Sequence, residues 1–374
     1  MSSGPASALP ASLRAALAAL GWNEALAAEP APSPACQPAR VIVESKLKFR
    51  VWIPGPSGTA ETWADVAGKL RHRAKSRRDF PAVGDWVWVR HQPAGGDARI
   101  EGILPRRTLL VRTAAGETGE PQVLAANVDV AFIASSLNRE LNPRRLERYV
   151  SLVRTGGAAP AILLTKSDLA TPEFIAGAKA GVAAACPGIP VLILSARTGE
   201  GLEGLHPYLS AGRTLVLLGS SGVGKSTLVN RLLGEEAQAV REISGHEDKG
   251  RHTTTIREML RLPGGALLID TPGIRELQLA GDGATGVEAA FGDIDALAAH
   301  CRFRDCRHQA EPGCAVLAAV ARGEVDAGRL ENFHKLMRES AHAARRTDKD
   351  LQAQHGQSAK RATAALKRMQ KDES

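Results

Sequence analysis

The strongest constraint on the fold of this chain is the order of two nucleotide-binding motifs. A phosphate-binding loop (P-loop) reads Gly219-Ser220-Ser221-Gly222-Val223-Gly224-Lys225-Ser226, with Thr227 next. The segment Thr165-Lys166-Ser167-Asp168 has the form of a guanine-reading motif and lies about fifty residues earlier. In an ordinary GTPase the base-reading motif follows the P-loop. This order predicts a circularly permuted α/β P-loop GTPase domain with buried parallel strands at Val128–Ala134, Ala161–Leu164, Val191–Leu194, Leu215–Leu218 and Ala266–Ile269.

The P-loop lies in the local context that phosphate binding needs. The apolar run Leu215–Leu218 predicts a strand before it, and Ser226 to Leu233 predicts a helix after it, ended by Gly234. Glycines let backbone N–H groups wrap phosphates, and the helix N-terminus adds partial positive charge. Lys225 would then reach the β- and γ-phosphates, and the Ser226 hydroxyl would hold Mg²⁺.

Two later segments would complete the phosphate site. Asp270 ends the strand predicted at Ala266–Ile269, where its carboxylate would meet Mg²⁺, and the backbone N–H of Gly273 would sense the γ-phosphate. Between this strand and the P-loop helix, Thr254 is our first choice for completing the Mg²⁺ shell, with Thr253 second. A solvated polar loop is the alternative reading of this threonine segment.

Slow hydrolysis is expected from the chain alone. Ile274 stands where Ras-like enzymes carry the glutamine that positions the attacking water, and its side chain has no polar group. We hypothesise that His252 orders this water when a partner docks. A structural loop histidine is the equally weighted alternative.

The base-reading motif distinguishes guanine from adenine by hydrogen bonding. The Asp168 carboxylate would accept the N1 and N2 protons of guanine, and the Lys166 stem would lie across the base. Ser195 and Ala196 follow the strand Val191–Leu194, and the Ala196 N–H would donate to guanine O6. The first residue of the motif is Thr165 where asparagine is usual, so the motif is weaker when read alone.

The flanking sequence predicts four further segments. Short alternating strands separated by Gly and Pro turns predict a barrel of the OB type, which binds RNA in many proteins. The predicted organisation is a helical and Pro/Ala-rich extension (1–39), the barrel (40–115), the GTPase domain (126–280), a zinc-binding α-helical domain (281–335) and a basic tail (336–374). Trp86 and Trp88 share one face of a strand and are read as barrel core rather than base-stacking platforms.

Four residues close together in the sequence predict a metal site. Cys301, Cys306, His308 and Cys314 offer three thiolates and one imidazole within fourteen residues. A set of this kind suits one tetrahedral Zn²⁺ with no open position, which is a structural rather than a catalytic site. Only five cysteines are present, and their clustering favours a reducing compartment over a disulfide framework.

Charge points to an anionic partner. The formal net charge is +8, and Lys69 to Arg78 carry six lysine and arginine side chains in ten residues. On an OB-type barrel this segment favours contact with RNA phosphates, although a solvated basic loop is the alternative. No run of about 18 apolar residues is present, so we expect no transmembrane helix.

Together these features resemble one known family, the ribosome small-subunit-dependent GTPases (RsgA, also called YjeQ). The resemblance covers about residues 40–335 and rests on the rotated motif order, Gly250-Arg251-His252-Thr253-Thr254-Thr255, the preceding barrel and the cysteine pattern. It implies an OB barrel, a permuted GTPase domain and a C-terminal zinc domain. It also implies binding to the small ribosomal subunit and its rRNA late in maturation, with hydrolysis stimulated by that particle.

We therefore expect a cytoplasmic, monomeric GTP hydrolase that uses GTP, Mg²⁺ and one structural Zn²⁺, with no membrane partner. Two alternatives stay open on the sequence. One is a non-catalytic RNA-binding checkpoint module, in which the nucleotide only sets affinity. The other is a P-loop protein that uses ATP.

Overall fold

The chain folds as two units, Met1–Leu277 and Gln278–Ser374. No helix among the described residues is long and apolar enough to cross a membrane. The computed structural model describes residues 11–45, 48–56, 58–92, 96–113, 121–138, 141–244, 257–271, 278–279, 290–338 and 341.

A closed five-stranded barrel occupies the first part of the larger unit. Four of its strand pairs, β1–β2, β2–β3, β4–β5 and β1–β4, are antiparallel, while β3 pairs with β5 in parallel and so closes the ring. Helix α3 (Gly68–Arg73) connects β3 to β4. Alternate side chains such as Val41, Phe49 and Val89 fill the interior. The strands are β1 (Gln37–Ser45), β2 (Lys48–Gly55), β3 (Gly58–Val66), β4 (Trp86–Arg90) and β5 (Ala98–Ile103).

An antiparallel hairpin, β6 (Leu109–Thr113) and β7 (Pro121–Ala126), leads from the barrel to a parallel sheet. Adjacent strands of that sheet run β10-β9-β8-β11-β13, all parallel. The strands predicted from apolar runs are therefore confirmed, and the base-reading strands precede the P-loop strand in the chain. They are β8 (Val130–Ser136), β9 (Ala159–Thr165), β10 (Val191–Ile193), β11 (Thr214–Gly219) and β13 (Leu267–Asp270).

Three helices belong to this sheet: α4 (Pro143–Thr155), α5 (Pro172–Ala185) and α6 (Lys225–Ser244). Asn142 and Thr171 cap the first two with their side chains, and a proline follows each cap. Gly234 breaks α6 with φ 76° and ψ 172°, as predicted, although the chain then resumes a helix. Short 3₁₀ helices span Arg77–Asp79, Ser167–Leu169 and Leu202–Tyr208.

Strand β12 (Arg257–Arg261) joins the two sheets, and the sequence did not predict it. It pairs antiparallel with β13 on one side, as in Met259 opposite Ile269. On its other side it pairs antiparallel with β1, where Val43 lies opposite Glu258. The parallel sheet and the barrel therefore form one continuous 11-stranded sheet.

The N-terminal segment packs on this unit through helices α1 (Ala11–Ala18) and α2 (Glu24–Ala27). Leu17 and Leu20 are fully buried, and the rings of Trp22 and Trp86 pack edge to face with their centroids 4.7 Å apart. Val87 and Val89 line the barrel interior, so their alternate neighbour Trp86 points out of the barrel. The prediction that Trp86 and Trp88 belong to the barrel core is therefore wrong: both lie on the outer face of β4, where Trp86 is buried beneath the N-terminal segment.

Arg40 of β1 is fully buried where three segments meet. Its guanidinium donates to the backbone oxygens of Leu20 (3.2 Å) and Asn127 (3.4 Å) and to Thr214 Oγ1 (3.0 Å). It also lies 5.3 Å from the centroid of Trp86. Burial lowers the pKa of Arg40 to about 10, against the opposing attraction of Asp85. One side chain thus joins the N-terminal segment, the barrel and the P-loop strand.

The smaller unit is mainly helical. It contains the short strand β14 (Gln278–Leu279), α7 (Gly292–Ala298), α8 (Ala315–Ala321) and a helix α9 over residues 327–338. Phe291, Ile294 and Val316 are completely buried in it. Arg329 of α9 binds Asp293 of α7 at 2.6 Å and lies over the ring of Phe291, which fixes these two helices together.

We expect Arg40→Ala to lower the free energy of unfolding by about 3 kcal/mol, because three buried acceptors lose their donor. Urea denaturation followed by tryptophan fluorescence measures this. The control is Arg90→Ala, which removes an exposed ion pair to Glu101 (2.8 Å) and should cost about 0.5 kcal/mol. Equal losses in the two variants would contradict the role given to Arg40.

Candidate nucleotide-binding and metal sites

The P-loop begins at the carboxyl end of β11 with a glycine that no other residue can replace. Gly219 has φ 146°, and a Cβ atom there would lie 2.5 Å from the Ala134 carbonyl oxygen of β8. Gly222 and Gly224 also have positive φ values. The loop therefore turns tightly against the sheet before α6 starts at Lys225, which places a helix N-terminus at the phosphate position.

Lys225 is buried inside this loop. Its Nζ donates to the carbonyl oxygens of Gly219 (2.9 Å) and Ser220 (2.7 Å). Burial lowers the pKa of Lys225, and the nearby carboxylate of Asp270 opposes this effect. Ser221, Ser226 and Thr227 are exposed, so the rim of the loop is open to a ligand.

Asp270 stands at the end of β13, level with Leu217 of the P-loop strand. The next residue, Thr271, is buried and donates its hydroxyl to the Leu217 carbonyl oxygen at 2.7 Å. This bond ties the residue after Asp270 to the P-loop strand. Sequence reasoning missed Thr271, because it considered only the carboxylate and glycine of its motif.

A second contact to the P-loop comes from α4. Tyr149 is buried on this helix, and burial raises the pKa of its phenol, while a hydrogen bond with Ser220 acts in the opposite direction. Its helical position gave no signal of this contact, since a tyrosine on an amphipathic helix normally indicates core packing. Tyr149 therefore supports the loop from outside the two predicted motifs.

The base-reading motif contacts the P-loop directly. The Thr165 hydroxyl donates to the Val223 carbonyl oxygen at 2.6 Å and lies 3.3 Å from the carbonyl oxygen of Ser135. Thr165 thus links the base loop to the phosphate loop from the position where asparagine is usual. Lys166 adopts a left-handed backbone with φ 61°, and its stem passes beside Gly224. The two halves of the predicted nucleotide site are therefore adjacent.

Asp168 is held in place at both carboxylate oxygens. Ser195 Oγ donates to Oδ1 at 2.5 Å, and Arg197 Nε donates to Oδ2 at 2.9 Å. The hydrogen bond from Ser195, together with the one from Arg197, holds the pKa of Asp168 below its ordinary value. The carboxylate is therefore ionised, as an acceptor of guanine protons must be. Sequence reasoning included Ser195 for its place beside Ala196 but missed Arg197.

Two other predicted base-loop residues, Ser167 and Ala196, are next to this contact in the chain. Ser167 is buried, and its N–H donates to the Leu194 carbonyl oxygen at 3.3 Å. Ala196 follows Ser195 directly after β10 and is half-buried. His252, Thr254 and Gly273 lie outside the described residues.

The donor set of these loops fits a nucleotide with Mg²⁺. Three glycines with positive φ, a buried lysine and a helix N-terminus supply the cradle for phosphates. A serine hydroxyl at Ser226 and a carboxylate at Asp270 are the hard oxygen ligands that Mg²⁺ prefers.

The smaller unit brings the four predicted metal ligands together. The ligand atoms of Cys301, Cys306, His308 and Cys314 all lie within 4.8 Å of one another. Cys301 Sγ is 3.9 Å from Cys314 Sγ, and His308 Nδ1 is 3.6 Å and 3.4 Å from these two sulfur atoms. A tetrahedral zinc site has S···S edges of about 3.8 Å and S···N edges of about 3.6 Å. The cluster therefore fits a tetrahedral metal ion that binds Nδ1 of the histidine.

Local backbone structure prepares this cluster. The Leu317 N–H donates to Cys314 Sγ at 3.4 Å where Cys314 caps α8. Burial lowers the pKa of His308, which favours the neutral imidazole that binds metals. The Glu311 carboxylate accepts the N–H groups of Arg307 and Gln309, each at 2.8 Å. These bonds lower the pKa of Glu311 to about 2.

Comparison with known proteins agrees with this geometry. The RsgA GTPase family matches residues 103–280. A protein named small ribosomal subunit biogenesis GTPase RsgA from Opitutus terrae is 47% identical over 89% of this chain and 92% of its own length. The chain belongs to the RsgA GTPase family. A second RsgA relative, from Methanosarcina acetivorans, is 45% identical over 88% of this chain and 86% of its own.

Two solved structures share the fold of this RsgA GTPase. YjeQ from Thermotoga maritima superposes with a TM-score of 0.60 at 25% identity, over 82% of this chain and 98% of that chain. YloQ, described as a circularly permuted GTPase, gives 0.58 at 23% identity over 84% and 98%, and this likeness concerns the fold alone. The circular permutation predicted from motif order is confirmed, and the chain is a GTP-hydrolysing enzyme.

We expect Thr165→Ala to weaken GDP and GTP binding about tenfold, because the buried Val223 carbonyl oxygen loses its donor and the two loops separate. Fluorescent-nucleotide titration measures the affinity. Thr165→Ser keeps the hydroxyl and should bind like the unaltered protein. Wild-type affinity in Thr165→Ala would show that the link between the loops does not support binding.

Proposed function

We propose that this RsgA GTPase binds the small ribosomal subunit, assists its late maturation and hydrolyses GTP with stimulation by that particle. The observation that carries the proposal is the 45–47% identity, over nearly the whole of both chains, to relatives named for small ribosomal subunit biogenesis. The joined base and phosphate loops support the choice of GTP over ATP, since an ionised Asp168 selects guanine.

Each predicted residue has a proposed role in this reaction. Thr165, Lys166, Ser167, Asp168, Ser195 and Ala196 bind the base, and Gly219 to Thr227 bind the phosphates. Ser226, Asp270 and Thr254 hold Mg²⁺, Gly273 senses the γ-phosphate, and His252 positions the water. When bound, Mg²⁺ neutralises charge that develops on the phosphate oxygens.

The residues that the structure describes bind and orient the nucleotide before hydrolysis. Lys225 exchanges its bonds to two loop carbonyl oxygens for bonds to the β- and γ-phosphates, so its positive charge is already in position. Guanine displaces Arg197 from Asp168 Oδ2. This displacement costs little free energy, because the Arg197 side chain is 72% exposed. Hydrolysis then awaits a group that orders the water, so we expect slow turnover by the chain alone.

We infer that the barrel is of the OB type and contacts rRNA. The strand order β1-β2-β3-β5-β4 and a helix between β3 and β4 support this assignment. Lys69, Arg71, Arg73 and Lys75 are exposed on or beside that helix, where they suit phosphate binding. Arg77 of the same basic segment already pairs with Glu44 at 2.9 Å. We therefore assign the RNA contact to the first four.

We also propose that the four-residue cluster holds one structural Zn²⁺. The domain boundaries are those predicted above from the sequence. The protein acts as a cytoplasmic monomer without a membrane partner. The tetrahedral spacing of the ligand atoms supports zinc, and four ligands leave no open position for catalysis.

GTP turnover with and without purified small ribosomal subunits tests the function. We expect slow turnover by the protein alone and a rise of at least about a hundredfold at saturating subunits, because the water-positioning group must be completed on docking. His252→Ala should lose most of this rise and keep its GTP affinity. Turnover that subunits leave unchanged would favour a non-catalytic checkpoint module.

Nucleotide choice is tested separately with Asp168→Asn. The amide replaces an acceptor with a donor, so this variant should lose its preference for guanine and gain affinity for xanthine nucleotides. Competition between GTP, ATP and xanthosine triphosphate measures the outcome. Retention of guanine preference would remove Asp168 from the base site.

Metal analysis of the purified chain tests zinc. We expect about one zinc per chain, lost in Cys314→Ser because a ligand of the closed shell is missing. Cys186→Ser, outside the cluster, should keep its zinc. GDP affinity should survive in both variants, because the nucleotide loops lie in the other unit. A full zinc content in Cys314→Ser would contradict the assigned ligands.

A further inference from the structure

We propose that the loop between Cys301 and Cys306 stacks on an unpaired RNA base, with Phe303 as the stacking surface and Arg302 and Arg304 as phosphate-binding groups. The proposal rests on the proposed function, in which the partner is a ribosomal particle, and it names a contact that the particle would make. It is carried by the exposure of one ring, its arginine neighbours and the rigidity of the loop.

The Phe303 side chain is exposed to solvent. In the part of the chain that the structure describes, the exposed large hydrophobic side chains are Leu169, Phe174 and Phe303, and the Phe303 ring is 42% accessible. Among the described residues of the smaller unit, Phe291 and Phe333 pack with their ring centroids 5.6 Å apart, and Phe303 takes no part in this pair. A single exposed ring is common on protein surfaces, so the cations beside it carry the argument.

One face of Phe303 already has a cation. The Arg302 guanidinium lies 5.6 Å from the ring centroid. Its backbone N–H donates to the Gly313 carbonyl oxygen at 3.1 Å. A Cβ atom on Gly313 would come within 3.0 Å of Arg302 Cβ and 3.3 Å of its Cδ, so the arginine stem lies directly on this glycine. Arg302 is therefore positioned before any partner arrives.

The loop itself is short and closed. The Cys306 N–H donates to the Phe303 carbonyl oxygen at 3.3 Å, which forms a turn that directs the ring outward. The residues at both ends of the loop belong to the four-residue metal cluster. A rigid stacking surface loses little conformational entropy when it binds, which raises its affinity for a base.

The surrounding charge favours nucleic acid. Arg302, Arg304 and Arg307 are exposed in or just after this loop. Of the two nearby acids, Glu311 uses its carboxylate on backbone N–H groups, which leaves Asp305 as the opposing charge. Arginine and an aromatic ring together bind the π-face of a base and its phosphate, and this pair recognises single-stranded RNA.

The test uses the full-length, zinc-loaded chain and a single-stranded RNA of about ten nucleotides with a central 2-aminopurine. Binding to the unaltered protein should quench the fluorescence of this base by stacking. Phe303→Ala should weaken binding about tenfold and remove the quench. Phe303→Trp should keep both, and Phe303→Leu, which keeps the apolar volume without a π-face, should behave like Phe303→Ala. Zinc content shows whether each variant is folded. If Phe303→Ala has lost its zinc, the result for Phe303→Leu decides the test.

Phe174→Ala is the matched control, because Phe174 is equally exposed at 42% but lies on α5 in the other unit. It should leave RNA binding unchanged. Wild-type affinity and quench in Phe303→Leu would overturn the proposal. The proposal would also be overturned if Phe303→Leu bound the small subunit more weakly but bound the RNA unchanged, because this result would assign the surface to a protein partner. Either result leaves subunit-stimulated hydrolysis intact, whereas absent stimulation of the unaltered protein would overturn the proposed function itself.

Discussion

The larger unit depends on one buried positive charge. Arg40 is only 1% exposed, and a guanidinium in that position is tolerated only if polar groups surround it. Those groups come from Leu20, Asn127 and Thr214, which lie in the N-terminal segment, at the entry to the parallel sheet and at the start of the P-loop strand. Asp129 accepts the N–H of Thr214 at 2.7 Å and strengthens the same junction. Few other arrangements of these segments would satisfy Arg40, so it specifies their relative position.

From this junction, order extends to the nucleotide loops. The P-loop is held from three sides, by Thr165 of the base loop, by Tyr149 of α4 and through Thr271 after β13. These bonds set the position of the groups that bind the nucleotide, and a site that is already ordered loses less entropy when it binds. The permuted order of the chain leaves this assembly unchanged, because the contacts depend on which strands are neighbours.

Sequence patterns revealed the parts that depend on local spacing. Strands covered on both faces read as apolar runs, so Leu215–Leu218 was readily predicted, and the metal ligands lie within one short segment. Strand β12 (Arg257–Arg261) has charged residues at three of its five positions and gains its partners from distant segments, so its pattern carried little signal. The contacts of Arg197 and Trp86 also left no local pattern in the sequence. Their partners, Asp168 and Trp22, are brought near only by the fold.

The double pairing of β12 bears on how the chain is made. Strand β1 uses its first residues, Gln37 to Arg40, to pair with β4, and its later residues Val43 and Glu44 to pair with β12. During synthesis the barrel strands are complete at Ile103, yet this end of β1 stays uncovered until Arg261 has left the ribosome. Uncovered strand edges invite pairing with other chains. The nascent barrel therefore carries an unpaired strand edge, prone to aggregation, while the segment from Ile103 to Arg261 is translated.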